Sequence, residues 1–268
     1  MAKNLLYGQT MDIKASALSR RRFLGGLFLG ACALPAGRLV AQTRALVIGA
    51  PAPEVPLRLT YNSINTSSPV LALTFDDGPH KTQTPRLLDI LKSRNVKATF
   101  YVIGRNVEAE PDIAKRIVDE GHEIANHTWT HPQLSQLSSS RIATELEKTH
   151  EIIEKVTGIS TASMRPPYGA VNDRVRQIAR ERLDYTTIMW SVDPLDWKYR
   201  NADRVSQKLV EGAAPGAILL SHDIHASTVS AMPSCIDQLA DKGFRFTTIN
   251  SLLRMDQPPA VSASPGAA

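Results

Sequence analysis

Asp76 and Asp77 stand side by side where an apolar run, Val70 to Phe75, stops, and Gly78-Pro79 turns the chain straight after them. Carboxylates in such a place can serve as a general base or hold a metal ion. On a regular strand two neighbouring acids point to opposite faces, but at a strand end that is turning both can reach one site, in different roles. The same pair also reads as plain turn residues before Gly78, and this stretch does not separate the two readings. His127 and His131 are four residues apart, so they share a face if the segment is helical and can also converge from a tight loop. With one carboxylate they form a two-histidine, one-acid set that suits Zn²⁺ and leaves positions for water and substrate. Taken alone, they read as surface histidines in a loop. Arg165 precedes Pro166-Pro167, a stiffened turn that can aim a guanidinium at a carboxylate or serve an ordinary surface ion pair. Asp193 and Asp196 lie just before Trp197, and His222 follows the apolar run Ala217 to Leu220. His222 also fits a hydrogen-bonded structural role. His122, before a strand, His150, on a helix, and His225, in a loop, have weaker claims.

The elements that must position these residues follow from periodicity. Short apolar runs predict strands at Val70–Phe75, Ala98–Val102, Glu123–Asn126, Ser163–Arg165, Thr186–Trp190, Ala217–Leu220 and Arg245–Thr248. Between them lie predicted helices. Thr84-Pro85 opens one that runs to Arg94, and Pro111 to Glu120 forms another, ended by Gly121. Ser138 to Thr157 carries Ile142, Leu146, Thr149, Ile153 and Val156 at three- and four-residue spacing and ends at Gly158. Asn172–Glu181, Ala202–Glu211, Ser227–Lys242 and Asn250–Met255 complete the set. Seven strands alternating with helices imply a parallel, barrel-like α/β sheet. In such folds chemistry gathers at the C-terminal strand ends, and the polar residues named above fall there.

The 268 residues, 43% hydrophobic and 21% charged, suffice for one large domain and its core. The formal charge of +5 belongs to the beginning of the chain. Residues 1–41 hold six basic residues and one acid, and the rest carries 25 of each sign. A neutral body lacks the electrostatic footprint of a nucleic-acid binder. Ser19-Arg20-Arg21-Arg22-Phe23-Leu24, followed by a weakly apolar stretch to Leu34 with Gly25, Gly26 and Gly30, resembles a twin-arginine export signal. The stretch is short and glycine-rich for a transmembrane span. Cleavage after Ala41 is the first reading. Leu29-Gly30-Ala31-Cys32 also resembles a lipoprotein box, so a lipid anchor at Cys32 is the second, and an uncleaved N-terminal anchor the third. The domain plan is then a signal at 1–41, a linker at 42–68, a catalytic domain at 69–255 and a disordered tail at 256–268. Cys235, in an apolar helical pattern, reads as a core residue, so no disulfide framework is expected.

Five segments occur together and in order: Thr74-Phe75-Asp76-Asp77-Gly78, His127-Thr128-x-x-His131, Arg165-x-Pro167-Tyr168, Asp193-x-x-Asp196-Trp197 and Leu220-x-His222. In this the chain resembles the polysaccharide deacetylases, the NodB-homology or carbohydrate esterase family 4 enzymes, over roughly Val70 to Leu253. Among these it is most similar to the peptidoglycan N-acetylglucosamine deacetylases. The resemblance implies a distorted (β/α)7-type barrel in a single catalytic domain. It also implies a site in which Asp77, His127 and His131 hold Zn²⁺ or another divalent ion such as Co²⁺. Asp76 would be the general base, and Arg165 would pair with it and hold it in place. His222 would be the general acid, oriented and kept protonated by Asp196. The backbone N–H of Tyr168 would join the metal in stabilising the oxyanion. Trp197 and Leu220 would wall the acetyl pocket, Asp193 would support the base–arginine side, and Thr128 would hydrogen-bond within the histidine loop.

The expected activity is removal of N-acetyl groups from N-acetylglucosamine residues of a cell-envelope polysaccharide, releasing acetate. Peptidoglycan is the first substrate, and chitooligosaccharides or another N-acetylated polysaccharide the alternative. A glycosidase would set its two carboxyl groups roughly 5 Å or more apart across the scissile bond, which adjacent acids beside two histidines fit less well. A non-catalytic glycan-binding module would be expected to lose Asp76 or His222, and both are present. The protein is expected to act as a monomer in the periplasm or cell envelope, touching membrane only through its leader or Cys32. A reporter joined after Ala41 should leave the cytoplasm, and replacing Arg20 and Arg21 by lysine should retain it inside. Export that survives the double change would exclude the twin-arginine route.

Overall fold

The computed structural model describes residues 60–256. The expected export signal at 1–41 with Cys32, the expected linker up to residue 59 and the expected tail after residue 256 lie outside the described residues. The strands are β1 (Thr60–Tyr61), β2 (Val70–Asp76), β3 (Thr99–Val102), β4 (Glu123–Asn126), β5 (Ser163–Met164), β6 (Thr186–Ile188), β7 (Ile218–His222) and β8 (Arg245–Phe246). The helices are α1 (Gln83–Ser93), α2 (Gly104–Ala109), α3 (Pro111–Asp119), α4 (Ser139–Thr157), α5 (Asp173–Leu183), α6 (Ala202–Gly212), α7 (Ala226–Asp241) and α8 (Ile249–Leu253). The strands run in the order β1-β6-β5-β4-β3-β2-β7, with β8 on β2, and all their pairings are parallel. Beyond β6 the chain crosses to β7, where Val192 bridges Leu219 and Leu220 N–H donates to Val192 O at 2.9 Å. That crossing closes the ring, and the fold is a distorted (β/α)7-type barrel.

The period of two along β2 sorts its side chains. Leu71, Leu73 and Phe75 join the outer core beneath helices α1, α6 and α7. Val70 and Ala72 join a smaller inner core with Tyr101, Ala125, Ile188 and Ile218, sealed at one end by Ile249 and Leu252 of α8. Thr74 and Asp76 continue the inward set, so the alternation that builds the barrel also aims Asp76 into its mouth. Cys235 is fully buried in the outer core, and burial pushes its thiol up to about 12.

Helix ends follow the residues that can satisfy them. Ser138, Asn172 and Asn201 cap α4, α5 and α6 by accepting the N–H groups of Arg141, Val175 and Arg204. Gly158 closes α4 at φ 73°. Two elements escape sequence reading. Thr60–Tyr61, inside the segment assigned to a linker, pairs with Thr187 and Ile188, and a two-residue strand is too short to show a period. Helix α2 has six residues, and tertiary bonds from Gly104 N–H to Thr128 O and Arg105 N–H to Trp129 O tie down its start. The sixth strand is also longer than its apolar run, because β7 includes Ser221 and His222.

Gly216, at φ +76°, donates its N–H to Val70 O, and a Cβ there would stand 2.2 Å from Ile64 O. Gly216→Ala is therefore expected to cost about 2 kcal/mol or more, lowering the thermal midpoint by roughly 4–8 °C. An unchanged melting curve would refute this account of the barrel's closure.

Candidate active site

The two adjacent acids are separated by backbone geometry. Asp76 is the last residue of β2 and lies level with Tyr101 of β3 and His222 of β7. Asp77 leaves the strand at φ +75°, a left-handed conformation that non-glycine residues rarely hold without support. The support comes from α2, where Asn106 Nδ2 donates to Asp77 O at 2.8 Å, and from Ile103 N–H, which donates to Gly78 O at 2.9 Å. Gly78 leaves room for Asp223, whose carboxyl oxygens stand 2.5 and 2.6 Å from where a Cβ would lie. Asp223 is completely buried, accepts a hydrogen bond from Thr84, and has its carboxyl pushed up to about 7 by that burial.

Asp76 meets Arg165. Its Oδ1 accepts from Arg165 Nη1 at 2.7 Å, and both side chains are buried. The guanidinium also donates to Thr74 Oγ1 at 2.8 Å, Met189 O at 2.9 Å and Ile188 O at 3.3 Å, and lies 4.1 Å from the centre of the Tyr101 ring. A buried charge so fully engaged is tolerated, whereas deleting one partner leaves the other stranded. Asp193 was expected on this side of the site. It lines the same cleft, but its carboxylate accepts Leu195 N–H at 2.7 Å, and Thr74 and two carbonyls hold Arg165 instead.

The other oxygen of Asp76 faces His127, which joins it to a second cluster. His127 Nε2 is 3.7 Å from Asp76 Oδ2 and 3.5 Å from Asp77 Oδ1, and His131 Nε2 is 3.2 Å from Asp77 Oδ1. The donor atoms of Asp77, His127 and His131 all lie within 4.8 Å of one another. His127 Nδ1 is 2.7 Å from Arg165 O, which can only accept, so Nδ1 carries a proton and Nε2 is the nitrogen turned toward the two acids. Asp77 Oδ1 is buried and in no aligned hydrogen bond. Burial opposes its charge, yet the two imidazoles hold its carboxyl well below the usual carboxylate range. Two imidazole nitrogens and an orphaned, ionised carboxylate oxygen fit a divalent metal ion. The histidines converge from a tight turn rather than from one helix face. Thr128 Oγ1 accepts His131 N–H at 3.0 Å across it.

Across the cleft, His222 Nδ1 is 2.7 Å from Asp196 Oδ1, and Asp196 Oδ2 accepts His222 N–H at 2.8 Å and Thr228 Oγ1 at 2.7 Å. Burial opposes a charged imidazole, but Asp196 outweighs it and raises His222 to about 9. The carboxyl of Asp196 is lowered in turn, against its own burial, chiefly by His222. His222 is thus an imidazolium near neutral pH with Nε2 left over. Tyr168, 72% exposed, sits at φ 60° with its ring centre 4.6 Å from that of His131, and its N–H donates to no described group. Trp197, 51% exposed, and buried Leu220 line the same cleft of about 380 Å³, together with Trp190. All the residues expected at the site therefore gather at one mouth of the barrel.

Thr74, Asn126, Thr228, Trp190 and Glu145 were missed by sequence reading. Thr74 was legible, since it is two residues from Asp76 on a strand and shares its face. Asn126 was half legible, being polar at the end of an apolar strand; its side chain accepts Thr128 N–H at 2.8 Å. Thr228 and Glu145 carry no local signal, because helices bring them in from 32 and 15 or 16 residues away. The weaker histidines have other partners. His122 Nδ1 accepts Ala98 N–H, His150 bonds Tyr185 Oη, and the His225 ring packs 5.9 Å from that of His222.

Comparison with known proteins follows the same outline. The sequence profile of the polysaccharide deacetylase family matches residues 63–188. The chain is 44% identical over 200 residues to the peptidoglycan-N-acetylglucosamine deacetylase PgdA of Listeria monocytogenes, which covers 75% of this chain and 41% of that protein. It is 39% identical over 188 residues to a peptidoglycan-N-acetylglucosamine deacetylase of Bacillus cereus, covering 69% of this chain and 68% of the relative. Among solved structures, a CE4 family pseudoenzyme from Bacillus anthracis is similar with a TM-score of 0.70 at 35% identity, over 74% of this chain and 70% of that one. The chain thus spans about two fifths of the Listeria protein but two thirds or more of the other two. Sequence likeness across the barrel, with the ordered motifs falling at its mouth, means that this chain belongs to the polysaccharide deacetylase family.

Proposed function

We propose that this chain is a metal-dependent N-deacetylase that hydrolyses the acetamide of N-acetylglucosamine residues in peptidoglycan, releasing acetate and leaving a free amine. The observation that carries the reading is the division of labour at one cleft. Asp77, His127 and His131 converge with their donor atoms within 4.8 Å of one another, while adjacent Asp76 is tied to Arg165 across the cleft from an imidazolium held by Asp196. A pseudoenzyme shares this backbone, so the reading rests on these side chains and not on the fold. Zinc is the ion that the nitrogen and oxygen donors favour, with Co²⁺ a workable substitute. The proposed workplace is the cell envelope, reached through the leader, with the enzyme acting as a monomer. Among the described residues no helix is long and apolar enough to cross a membrane. Under the second reading the membrane tie is a lipid on Cys32.

When bound, the ion supplies Lewis acidity, making a water easier to deprotonate and the acetamide carbonyl more electrophilic. Asp76 takes a proton from the attacking water, its carboxylate kept in place by Arg165 and Thr74. The Tyr168 N–H, free of partners among the described residues, donates to the oxygen that gains charge as the carbonyl carbon becomes tetrahedral. His222, protonated through Asp196, gives its Nε2 proton to the departing nitrogen as the C–N bond breaks. Trp197 and Leu220 wall the space for the acetyl methyl group. Acetate release measured in parallel on peptidoglycan, chitooligosaccharides and a β-1,6-linked glucosamine polymer tests the substrate. A rate confined to the neutral oligomers would favour the chitin-type reading.

The two acids are not exchangeable under this reading. Asp77→Ala is expected to abolish metal uptake, whereas Asp76→Ala should keep the metal and lose turnover by about 10²–10⁴-fold. Metal content by atomic absorption beside acetate release reads both, and metal retained in Asp77→Ala would remove the ligand assignment. The acid limb gives a second test. A general acid works only while protonated, so kcat/KM should fall as pH rises through the elevated value of His222. Asp196→Asn withdraws the charge that raises it, and the alkaline limb should move down by about one unit or more, toward ordinary imidazole. A limb that stays in place would exclude His222 as the titrating acid.

A further inference from the structure

The histidine turn is held by an unusual arrangement. Four successive backbone N–H groups, at 128, 129, 130 and 131, each donate to a side-chain oxygen. Asn126 Oδ1, at the end of β4, takes the first, and Thr128 Oγ1, within the turn, takes the last. The middle two go to one carboxylate oxygen from elsewhere. Glu145 Oε2, on α4, accepts Trp129 N–H at 2.9 Å and Thr130 N–H at 2.8 Å, and its Oε1 accepts Thr130 Oγ1 at 2.8 Å. The turn needs holding, because Thr128 and His131 sit at φ 68° and 63°. Trp129 adds a wedge: it fills the space beside Gly104, where a Cβ would lie 2.4 Å from its ring, under the Lys148 ammonium 3.7 Å from the ring centre.

The two histidines differ in how their rings are fixed. A metal-binding imidazole is ordinarily oriented by a hydrogen bond from its other nitrogen. His127 has one, to Arg165 O at 2.7 Å. The Nδ1 of His131 makes none with any described protein group; its ring is met by the rings of His127 and Tyr168, and its Nε2 stands 3.2 Å from Asp77 Oδ1, itself a member of the proposed ligand set. The orientation of His131 must therefore come from the backbone that carries it. We infer that Glu145 is a positioning residue for the metal site, doing through the turn what a ring hydrogen bond does for His127. This rests on the ligand set proposed above. Its carboxylate reaches no donor atom of the site directly and acts by holding the two residues between the left-handed Thr128 and His131.

The test is Co²⁺ titration of the metal-free full chain, read by chelator competition and by the visible spectrum of the bound ion. Glu145→Ala should weaken Co²⁺ binding about 10–100-fold and alter the spectrum. Glu145→Gln keeps a carbonyl oxygen for the two N–H groups and an amide for Thr130, and should bind within about threefold of wild type. A role in stability alone would lower the melting point of the metal-free protein in Glu145→Ala and leave affinity and spectrum unmoved, which would overturn the proposal. If Glu145→Ala does not fold, Glu145→Asp, which draws the carboxylate back by one methylene, must show the same loss, and wild-type affinity in it would equally overturn the proposal. A wild-type chain that takes up no Co²⁺ would overturn the ligand set itself.

Discussion

The site depends on one buried ion pair, Asp76 with Arg165. Arg165 is among the largest completely buried side chains described, and it stands inside the barrel where an unpartnered guanidinium would cost several kcal/mol. Its neighbours come from much of the ring: Thr74 and Asp76 from β2, Tyr101 from β3, Asn126 O from β4, and Ile188 and Met189 at the end of β6. Its backbone carbonyl then sets the tautomer of His127. One residue thus fixes the proposed base with its side chain and a proposed metal ligand with its main chain. Disturbing the pair would be felt at both.

Around that centre the backbone is strained in a consistent pattern. Of the seven described non-glycine residues with positive φ, Asp77, Thr128, His131, Tyr168 and Leu195 all lie on turns at the mouth of the cleft. Each such residue costs on the order of 1–3 kcal/mol, so the surroundings must over-determine it. They do so with side-chain oxygens and amides aimed at main chain: Asn106 on Asp77 O, Asn126 and Glu145 on the histidine turn, Asp193 on Leu195 N–H. The parallel barrel supplies a rigid rim, and these polar clamps shape the turns that leave it.

Charge is distributed with the same economy. Asp77 and Asp196 are both held below the ordinary carboxylate range by imidazoles despite burial, and Asp223, without such a partner, is pushed up to about 7 by burial. His222 is raised to about 9 through Asp196. Within the cleft, ionised carboxylates therefore stand opposite an imidazolium, which is how a single site can take up a proton on one side and give one on the other.

Much of the fold was legible in the chain itself. Apolar runs of strand length alternating with helical periods, ended by Gly121 and Gly158, specify a parallel barrel because burial and helix termination are local demands. The polar residues stood out for a similar reason: a charge or imidazole at the end of a buried strand needs an explanation that a loop residue does not. Local sequence could not say which of two adjacent acids turns inward, since that depends on the left-handed bend at Asp77 and on Asn106 from a six-residue helix too short to show a period. Nor could it show that Arg165 leans on Thr74 and backbone carbonyls rather than on Asp193, or bring Thr228 and Glu145 to the site from distant helices. Residue type and order determined what chemistry was available. The closing of the barrel decided which atoms face each other, because only three-dimensional packing sets the distances on which hydrogen bonds and charges act.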